Sequence, residues 1–472
     1  MTDKMDLQDS AASASMHGFG RIFITKSKVL RLVWICFMIL FVALLAYFLT
    51  PVLKRYFSNP SVTKEETVIA PRIRFPAITI CGAGMSKEKL DKFGKLHNKS
   101  FEMYDDVEGI GFSRDMREED IFQKLGTHEN IKGVMPEKEK LFLKNLSGSC
   151  MFKMQSGCNL STDIDTILVV ERGYCFRINP NGTYFQSRAG PGHGLAITFF
   201  LNTSDKVPWT KSNNGDSIEA IIGYHDEYPF PSIGSVLIPV GHSTQVELGK
   251  TEIERLPPPF PSKCTNGDNM PLLLYPGEYS IQNCQESCFA FKVSDKCDSL
   301  DFYTNTSLPK ELKKPFPKTE EDFLCGFRIY ENLEKTNFAS CKCPLSCYET
   351  KFTKTISYSR WPSAADMPIY KKLFSKALGM NISQVTDKFV ERNFMRLNIF
   401  FGDMTYNKVK ETKMYTADKL ISEIGGLMGI WIGASMFSLL EILFLLVQVI
   451  QYGFGSKKLR KENDLTLENT KT

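Results

Sequence analysis

The chain has 472 residues, of which 43% are hydrophobic and 24% are charged, and its formal net charge is +5. These averages suit a globular protein and give no support to nucleic-acid binding, because the basic runs flank two apolar segments. An anchored ectoenzyme is also unsupported, since no H-E-x-x-H, G-x-S-x-G or Walker A motif is present. We expect no enzyme activity, no cofactor and no metal site.

The first apolar segment, residues 32–51, follows a polar and then basic N-terminus of residues 1–31. Within it, Leu32–Leu49 is 18 consecutive residues without a charge, which meets the length criterion for a transmembrane helix. We expect Pro51 to end this helix. A cleaved signal peptide is disfavoured, because the segment starts too far from the N-terminus, is too long and lacks a cleavage site of small residues.

Residues 52–420 form a large loop whose pattern is first that of strands and then mixed. Residues 264–347 hold eight cysteines and helical patterns, which predicts a disulfide-stapled helical subdomain. Four strands and two helices are expected, in chain order, at Phe75–Cys81, Leu195–Leu201, Asn283–Val293 (helix), Tyr348–Tyr358, Ala364–Leu378 (helix) and Arg396–Phe401.

The second apolar segment, residues 421–455, precedes a polar tail of residues 456–472. Ile424–Gly455 carries one charge, Glu441, and is longer than a bilayer core about 30 Å thick requires. Small residues cluster at Gly433-Ala434-Ser435, where a break in the helix is expected. Basic residues before the first span and after the second place both termini in the cytoplasm.

Cysteines and glycosylation sequons agree with an extracellular loop. Twelve of the thirteen cysteines lie in the loop, and Cys36 lies in the first span. An even number outside and none in either tail is typical of an oxidising compartment. Seven N-x-S/T sequons, the candidate glycosylation sites, also lie there: Asn98, Asn145, Asn159, Asn181, Asn202, Asn305 and Asn381.

Five stretches resemble one family, that of the degenerins, epithelial sodium channels and acid-sensing ion channels. In chain order they are His17-Gly18, Phe75–Cys81, Leu256–Pro259, Cys341–Cys347 and Ile424–Glu441. The resemblance implies a trimer with two transmembrane helices per subunit and a hand-like, disulfide-rich α+β ectodomain. It also implies an amiloride-blocked, sodium-preferring cation channel of the plasma membrane. The chain looks most like short invertebrate, cnidarian-type, peptide-gated members.

The family's disulfide pattern uses all twelve outer cysteines of this chain. The sequence alone does not choose among connectivities, so the pairing comes from the resemblance. The six pairs are Cys81–Cys175, Cys150–Cys158, Cys264–Cys347, Cys284–Cys343, Cys288–Cys341 and Cys297–Cys325. The last four of these would make a stiff strut able to transmit force from ligand to pore.

The resemblance places the selectivity filter at Gly433, Ala434 and Ser435, although small residues also serve plain helix packing. Glu441 would form a ring of three carboxylates at the inner mouth, or would pair with a basic group near the cytoplasmic face. Phe444 stands where related acid-sensing members carry a second carboxylate.

Other pore-associated residues follow from the same resemblance. Ser422 occupies a gating-sensitive position at the outer mouth, and the alternative is an ordinary surface serine. Glu423 is either a vestibular cation attractor or a helix N-terminal carboxylate. His17 and Gly18 are either a cytoplasmic pore element or a simple loop.

Tyr56 or Phe57 is expected to pack against Phe260 and so to couple the thumb-like region to the pore. The family usually has Trp at the position of Phe260, so the apolar contact is kept here without an indole N–H.

Asp226 and Glu227 are a possible proton site, because paired acids can hold a proton near neutral pH, or else a solvated turn. Ser61 stands where proton-gated relatives often carry histidine, and the chain has only six histidines. We therefore expect opening by an extracellular peptide.

Proton-gated or constitutive sodium channels of the same family are the alternatives. A non-conducting two-pass cell-surface receptor is the distant alternative, because it explains the cysteines and sequons but not the glycine-rich second span. The expected partners are identical or related subunits, the lipid bilayer and the peptide, and no nucleic acid.

Overall fold

The computed structural model describes residues 22, 24–81, 138–146, 148–154, 156–169, 173–203, 216–231, 234–268, 273–298, 320–433, 435, 438, 440, 443, 444 and 447. The chain divides into two compact units. The first comprises residues 1–62, 259–261 and 411–472, and the second comprises residues 63–258 and 262–410.

Seven helices are present in the described residues. In chain order they are α1 (Lys28–Phe57), α2 (Lys138–Leu141), α3 (Ile281–Cys297), α4 (Glu320–Lys335), α5 (Met367–Leu378), α6 (Asp387–Asn393) and α7 (Ala417–Ile432). Short 3-10 turns lie at Pro191–His193 and Ala339–Cys341.

Fifteen strands complete the described secondary structure. They are β1 (Ser61–Ile69), β2 (Ile73–Arg74), β3 (Ala77–Cys81), β4 (Cys150–Phe152), β5 (Ser156–Gly157), β6 (Ile164–Val169), β7 (Gly173–Ile178), β8 (Phe185–Gln186), β9 (Leu195–Phe200), β10 (Ser217–Gly223), β11 (Ser235–Pro239), β12 (His242–Glu254), β13 (Tyr348–Arg360), β14 (Phe394–Phe401) and β15 (Thr405–Lys413).

The first unit contains the helices α1 and α7, which pack against each other. The ring of Phe48 on α1 stacks on that of Trp431 on α7, with centroids 5.2 Å apart. Among the described helices, α1 alone is long and apolar enough to cross a membrane. The described part of α7 has 16 residues.

Pro51 does not end α1, and this corrects the sequence expectation. The helix continues to Phe57 with Pro51 inside it. A proline removes one backbone donor from the helix, and its ring crowds the carbonyl four residues earlier. The carbonyl that loses its donor to Pro51 is that of Tyr47, and one residue earlier the Thr50 hydroxyl donates to the Ala46 carbonyl at 2.7 Å.

The second unit is built on an eight-stranded sheet in the order β1-β15-β12-β14-β9-β4-β5, with β13 also paired to β12. The long strand β12 organises this sheet. It pairs antiparallel with β13 over its whole length, and parallel with β14 along its first half and with β15 along its second half.

A second sheet has five strands in the order β11-β10-β3-β7-β6, and β2 pairs with β8. Strand β3 carries Ala77–Cys81 with all five residues buried, as expected for an apolar run of β-branched residues at the centre of a sheet. One large hydrophobic cluster draws its side chains from both sheets.

Two further hydrophobic clusters in the second unit involve helices. Helices α3 and α4 pack together through Phe289, Val293, Ile329 and Leu333. The α5–α6 region surrounds Phe374, whose ring stacks on that of Phe394 at 3.7 Å between centroids. The expected strands and the helices at Asn283–Val293 and Ala364–Leu378 are therefore present, with ends shifted by a few residues.

Candidate functional site

Small residues recur on one face of α7. Ser422, Gly425, Gly426 and Gly429 follow the spacing of a helix face, and all four are exposed in the single chain. A Cβ added at any of the three glycines would meet no other atom within 4 Å. This face is therefore open to close approach by another helix or by an ion path.

The helix ends at the cluster where a break was expected. Gly433 adopts φ +62° and ψ +27°, a left-handed conformation, and its N–H donates to the Met428 carbonyl. Glycine reaches this conformation without the steric cost that a Cβ brings. The carbonyls at the end of α7 are released from the regular hydrogen-bond pattern here.

Ser435 begins a new helical segment. Its hydroxyl accepts from the N–H of Ser438 at 3.3 Å, and the Ser438 hydroxyl accepts from the N–H of Ser435 at 3.1 Å. This reciprocal pair is a capping box, which satisfies two backbone donors of a helix start. The Ser438 side chain is buried, so the Ser438 half of this hydrogen-bonded pair is shielded from solvent.

The two outer-mouth candidates lie on the first turns of α7 and differ in their surroundings. The Ser422 hydroxyl donates to the Asp418 carbonyl at 2.9 Å and its side chain is exposed. The Glu423 carboxylate is half-buried and accepts a hydrogen bond from the Tyr415 hydroxyl. Glu423 stands on the second turn of α7, and both of its roles, a vestibular cation attractor or a helix N-terminal carboxylate, stay predictions.

The expected packing of Tyr56 or Phe57 on Phe260 is not among the ring contacts of the described residues. Tyr56 contacts Phe57 and Tyr415 instead, with centroids 5.4 Å and 6.5 Å apart. Phe260 is buried, and the Lys413 ammonium lies 5.5 Å above its ring. A cation–π contact thus takes the place of the expected aromatic pair.

The cysteine pairing is the one that the resemblance implies. Six disulfides join Cys81–Cys175, Cys150–Cys158, Cys264–Cys347, Cys284–Cys343, Cys288–Cys341 and Cys297–Cys325. Two of them tie α3 to the segment around the 3-10 turn, and another ties α3 to α4. The helical subdomain is therefore cross-linked at several levels.

The possible proton site is a turn after β10 whose backbone carbonyls accept hydrogen bonds from Arg177. One guanidinium nitrogen of Arg177 donates to the carbonyls of Tyr224, His225 and Glu227 at 3.0, 2.7 and 2.9 Å. The Asp226 carbonyl accepts from the N–H of Glu278 at 2.7 Å. The backbone of this turn is thus held by side-chain and main-chain hydrogen bonds.

Glu227 is the titratable group that this turn places near neutrality. Burial raises the pKa of its carboxyl to about 7, and the negative charges of Glu349 and Glu278 act in the same direction. Arg177 opposes this shift. Asp226, by contrast, is exposed.

His225 is buried beside this turn. Burial lowers the pKa of its imidazole, Asp226 opposes that shift, and the positive charges of Arg74, Arg177 and Lys250 reinforce it. Its Nε2 lies 3.0 Å from a carboxylate oxygen of Asp226 without an aligned hydrogen bond. The described residues contain no group of three or more acidic, histidine or cysteine side chains able to hold a metal ion.

Some predicted positions lie outside the described residues. They are His17, Gly18, Ala434, Glu441, Asn98 and Asn305. The other five sequon asparagines, all exposed, are Asn145, Asn159, Asn181, Asn202 and Asn381.

Three residues of these sites were missed by sequence reasoning. Ser438 carried a signal, because the spacing Ser435-x-x-Ser438 is typical of a helix N-cap. Arg177 and Tyr415 carried none, since their partners become neighbours only when the chain folds.

A family model described as "ASC: Amiloride-sensitive sodium channel" matches residues 10–445. The chain belongs to this family. The amiloride-sensitive sodium channel family consists of ion channels and not of enzymes, and its members are plasma-membrane proteins that assemble from related subunits. The match confirms the resemblance to degenerins and acid-sensing channels.

Relatives within the family come from nematodes and vertebrates. Degenerin del-1 of Caenorhabditis elegans is 25% identical over 81% of this chain and 55% of its own length. Acid-sensing ion channel 1A of Danio rerio is 24% identical over 94% of this chain and 88% of its own length. Acid-sensing ion channel 1 of Gallus gallus is 26% identical over 95% of this chain and 85% of its own length. The chain thus spans about half of the degenerin and most of the two acid-sensing channels.

A solved proton-activated chloride channel is matched with a TM-score of 0.30 and 8% identity over 89% of this chain and 100% of its own. A likeness at this level carries no argument.

Proposed function

We propose that this chain is a subunit of a trimeric, sodium-preferring cation channel of the plasma membrane, blocked by amiloride, with both termini in the cytoplasm. The observation that carries the proposal is the end of α7 at Gly433. An open face of small residues leads to a left-handed glycine, followed by a capped helix restart at Ser435. A simple membrane anchor has no use for such a break.

The break provides the chemistry that a cation filter needs. Three copies of this segment around an axis would present backbone carbonyls and the Ser435 hydroxyl to a passing ion. These oxygens replace part of the hydration shell of the ion. Glu441 in the same arrangement gives a ring of three carboxylates, which concentrates cations and repels anions.

The opener that we propose is an extracellular peptide. Ser61 stands where proton-gated members often carry histidine, and its hydroxyl donates to the Glu411 carboxylate. That position therefore holds a neutral hydroxyl with a structural partner, where an imidazole would titrate. The chain also has only six histidines.

Protons are the second candidate, because of Glu227. A carboxyl with a pKa of about 7 changes charge in the range in which extracellular acidification acts. Its turn is held by Arg177 and by the backbone of Glu278, so a change in charge acts on a braced element.

The test is whole-cell current from cells that express this chain alone. Short amidated peptides and acid steps are applied in sodium and in sodium-free solution, with and without amiloride. We expect an inward current that a peptide evokes, that disappears without sodium and that amiloride blocks. Ser435→Trp, expressed at the same surface level, is the control for endogenous channels, because an indole fills the proposed filter.

Each other outcome has a defined meaning. Current evoked by acid and not by peptides replaces the peptide with the proton as opener. Silence despite surface expression requires co-expression with related subunits. If no combination conducts, the channel proposal is wrong and the two-pass receptor takes its place.

A further inference from the structure

Tyr415 occupies an unusual position between β15 and α7. It lies in the short connection that leads into α7, yet only 6% of its surface is exposed. Its ring meets the Tyr56 ring edge-on, at 6.5 Å between centroids, and Tyr56 belongs to the last turn of α1. The Lys419 ammonium lies 5.1 Å above the Tyr415 ring.

The hydroxyl of Tyr415 reaches along α7. It donates to the carboxylate of Glu423, eight residues later in the chain, on the second turn of the helix. A hydrogen bond to a charged acceptor is among the stronger side-chain interactions. One side chain therefore links the end of α1, the connection and the first two turns of α7.

This link determines which side of α7 faces away from Tyr415. Successive residues of an α-helix are separated by about 100° around its axis. With Glu423 held on Tyr415, Ser422 and the glycines at 425, 426 and 429 lie on the open face. A rotation by one residue would bring Glu423 onto that face and turn Ser422 away from it.

We infer that Tyr415 is a rotational latch of α7: its hydrogen bond to Glu423 holds the small-residue face, and not the carboxylate, toward the ion path. Tyr415 is a positioning residue and does not itself contact the ion. The inference rests on the proposed function, because it needs the small-residue face to line a pore.

The test compares two single cysteines on α7, Ser422→Cys on the exposed face and Ile424→Cys, which is half-buried and lies about 200° away around the helix axis. Both are placed in a Cys36→Ser background, because Cys36 is the one cysteine of thirteen outside the six disulfides. Intact cells expressing the full chain are treated with a membrane-impermeant maleimide, and labelling is read as a gel shift. The measured quantity is the labelling rate at 422 divided by the labelling rate at 424, and it requires no current.

The latch predicts how this ratio responds to substitution. Tyr415→Phe removes only the hydroxyl and lowers the ratio by about threefold or more, the change that losing even a weak hydrogen bond produces in an equilibrium. Glu423→Leu has the same effect, and Tyr415→Phe adds nothing to it. Glu423→Gln keeps an acceptor oxygen and has a smaller effect. Tyr406→Phe is the matched control, since among the described residues its hydroxyl makes no hydrogen bond.

Two failures are distinguishable. An unchanged ratio in Tyr415→Phe, or additive effects of the variants at 415 and 423, overturns the latch. A ratio near one before any change at Tyr415 contradicts the pore-lining face, and with it the proposed function, because 422 and 424 would then be equally accessible to water.

Discussion

The properties of an individual side chain depend on its contacts in the folded chain. Asp226 and Glu227 are adjacent acids in the sequence, but only Glu227 has the burial and the acidic neighbours that raise its pKa. Glu423 accepts a hydrogen bond from Tyr415, eight residues earlier in the chain, a contact that the sequence did not indicate. Adjacent positions in the chain thus differ because their environments come from distant segments.

We predict that Glu227 makes the stability of the ectodomain depend on pH. Because its folded pKa is about 7 and its ordinary value is 4.5, the folded state binds the proton more tightly than the unfolded state. The resulting stabilisation, at most about 3 kcal/mol, is present at low pH and is lost as pH rises from about 4.5 through about 7. Glu227→Gln removes this loss.

The measurement is thermal unfolding of the detergent-solubilised full chain at about pH 5 and about pH 8. Glu331→Gln serves as the control, since Glu331 is a half-exposed glutamate on α4 whose carboxylate lies 3.8 Å from the Lys335 ammonium. Equal pH dependence in Glu227→Gln and in the unchanged protein would show that Glu227 does not titrate in this range.

The two apolar segments illustrate what local pattern does and does not predict about an element. Hydropathy located both, and the small-residue cluster located the break at Gly433. The predicted end of α1 at Pro51 was wrong, because a proline costs the helix only one backbone hydrogen bond. Packing stabilises the helix around it, and this packing includes the contact of Phe48 with Trp431.

We predict that Gly433→Ala impairs the channel because of backbone conformation. A left-handed alanine costs roughly 1–2 kcal/mol more than glycine, so the end of α7 shifts or the site is strained. Peak sodium current per surface subunit should fall, and the reversal potential in mixed sodium and potassium should move toward zero. Gly433→Asn is the matched comparison, because asparagine tolerates the left-handed region.

Which of the two variants loses more current shows whether backbone conformation or side-chain volume at Gly433 matters. A milder effect of asparagine than of alanine supports a requirement for positive φ. If asparagine is the more damaging despite its tolerance of this conformation, side-chain volume at the constriction is responsible and the conformational argument fails.

For the chain as a whole, composition alone predicts the compartment of each part. All six disulfides join residues of the large loop, and Cys36 is outside them. This distribution fits an oxidising exterior between two cytoplasmic ends. The resemblance predicted the family correctly, and the family model covers nearly the whole chain.

We predict that both termini are cytoplasmic. Epitope tags at residues 1 and 472 should stain only after permeabilisation. A tag inserted after Gly379, an exposed left-handed residue where an added Cβ meets nothing within 4 Å, should stain intact cells. Surface staining of either terminal tag without permeabilisation would contradict two spans with both ends inside.

The sequence by itself determined where the chain is apolar, where it can form strands, how many cysteines lie between the two apolar segments and where the second of these segments breaks. These are properties of neighbouring residues, which hydropathy, β-branching and glycine express directly. Only the tertiary structure decided that Arg177 holds the turn at Glu227, that this carboxyl titrates near neutrality and that Tyr415 holds Glu423. Burial and charge at a point depend on segments far apart in the chain, so no local pattern contains them.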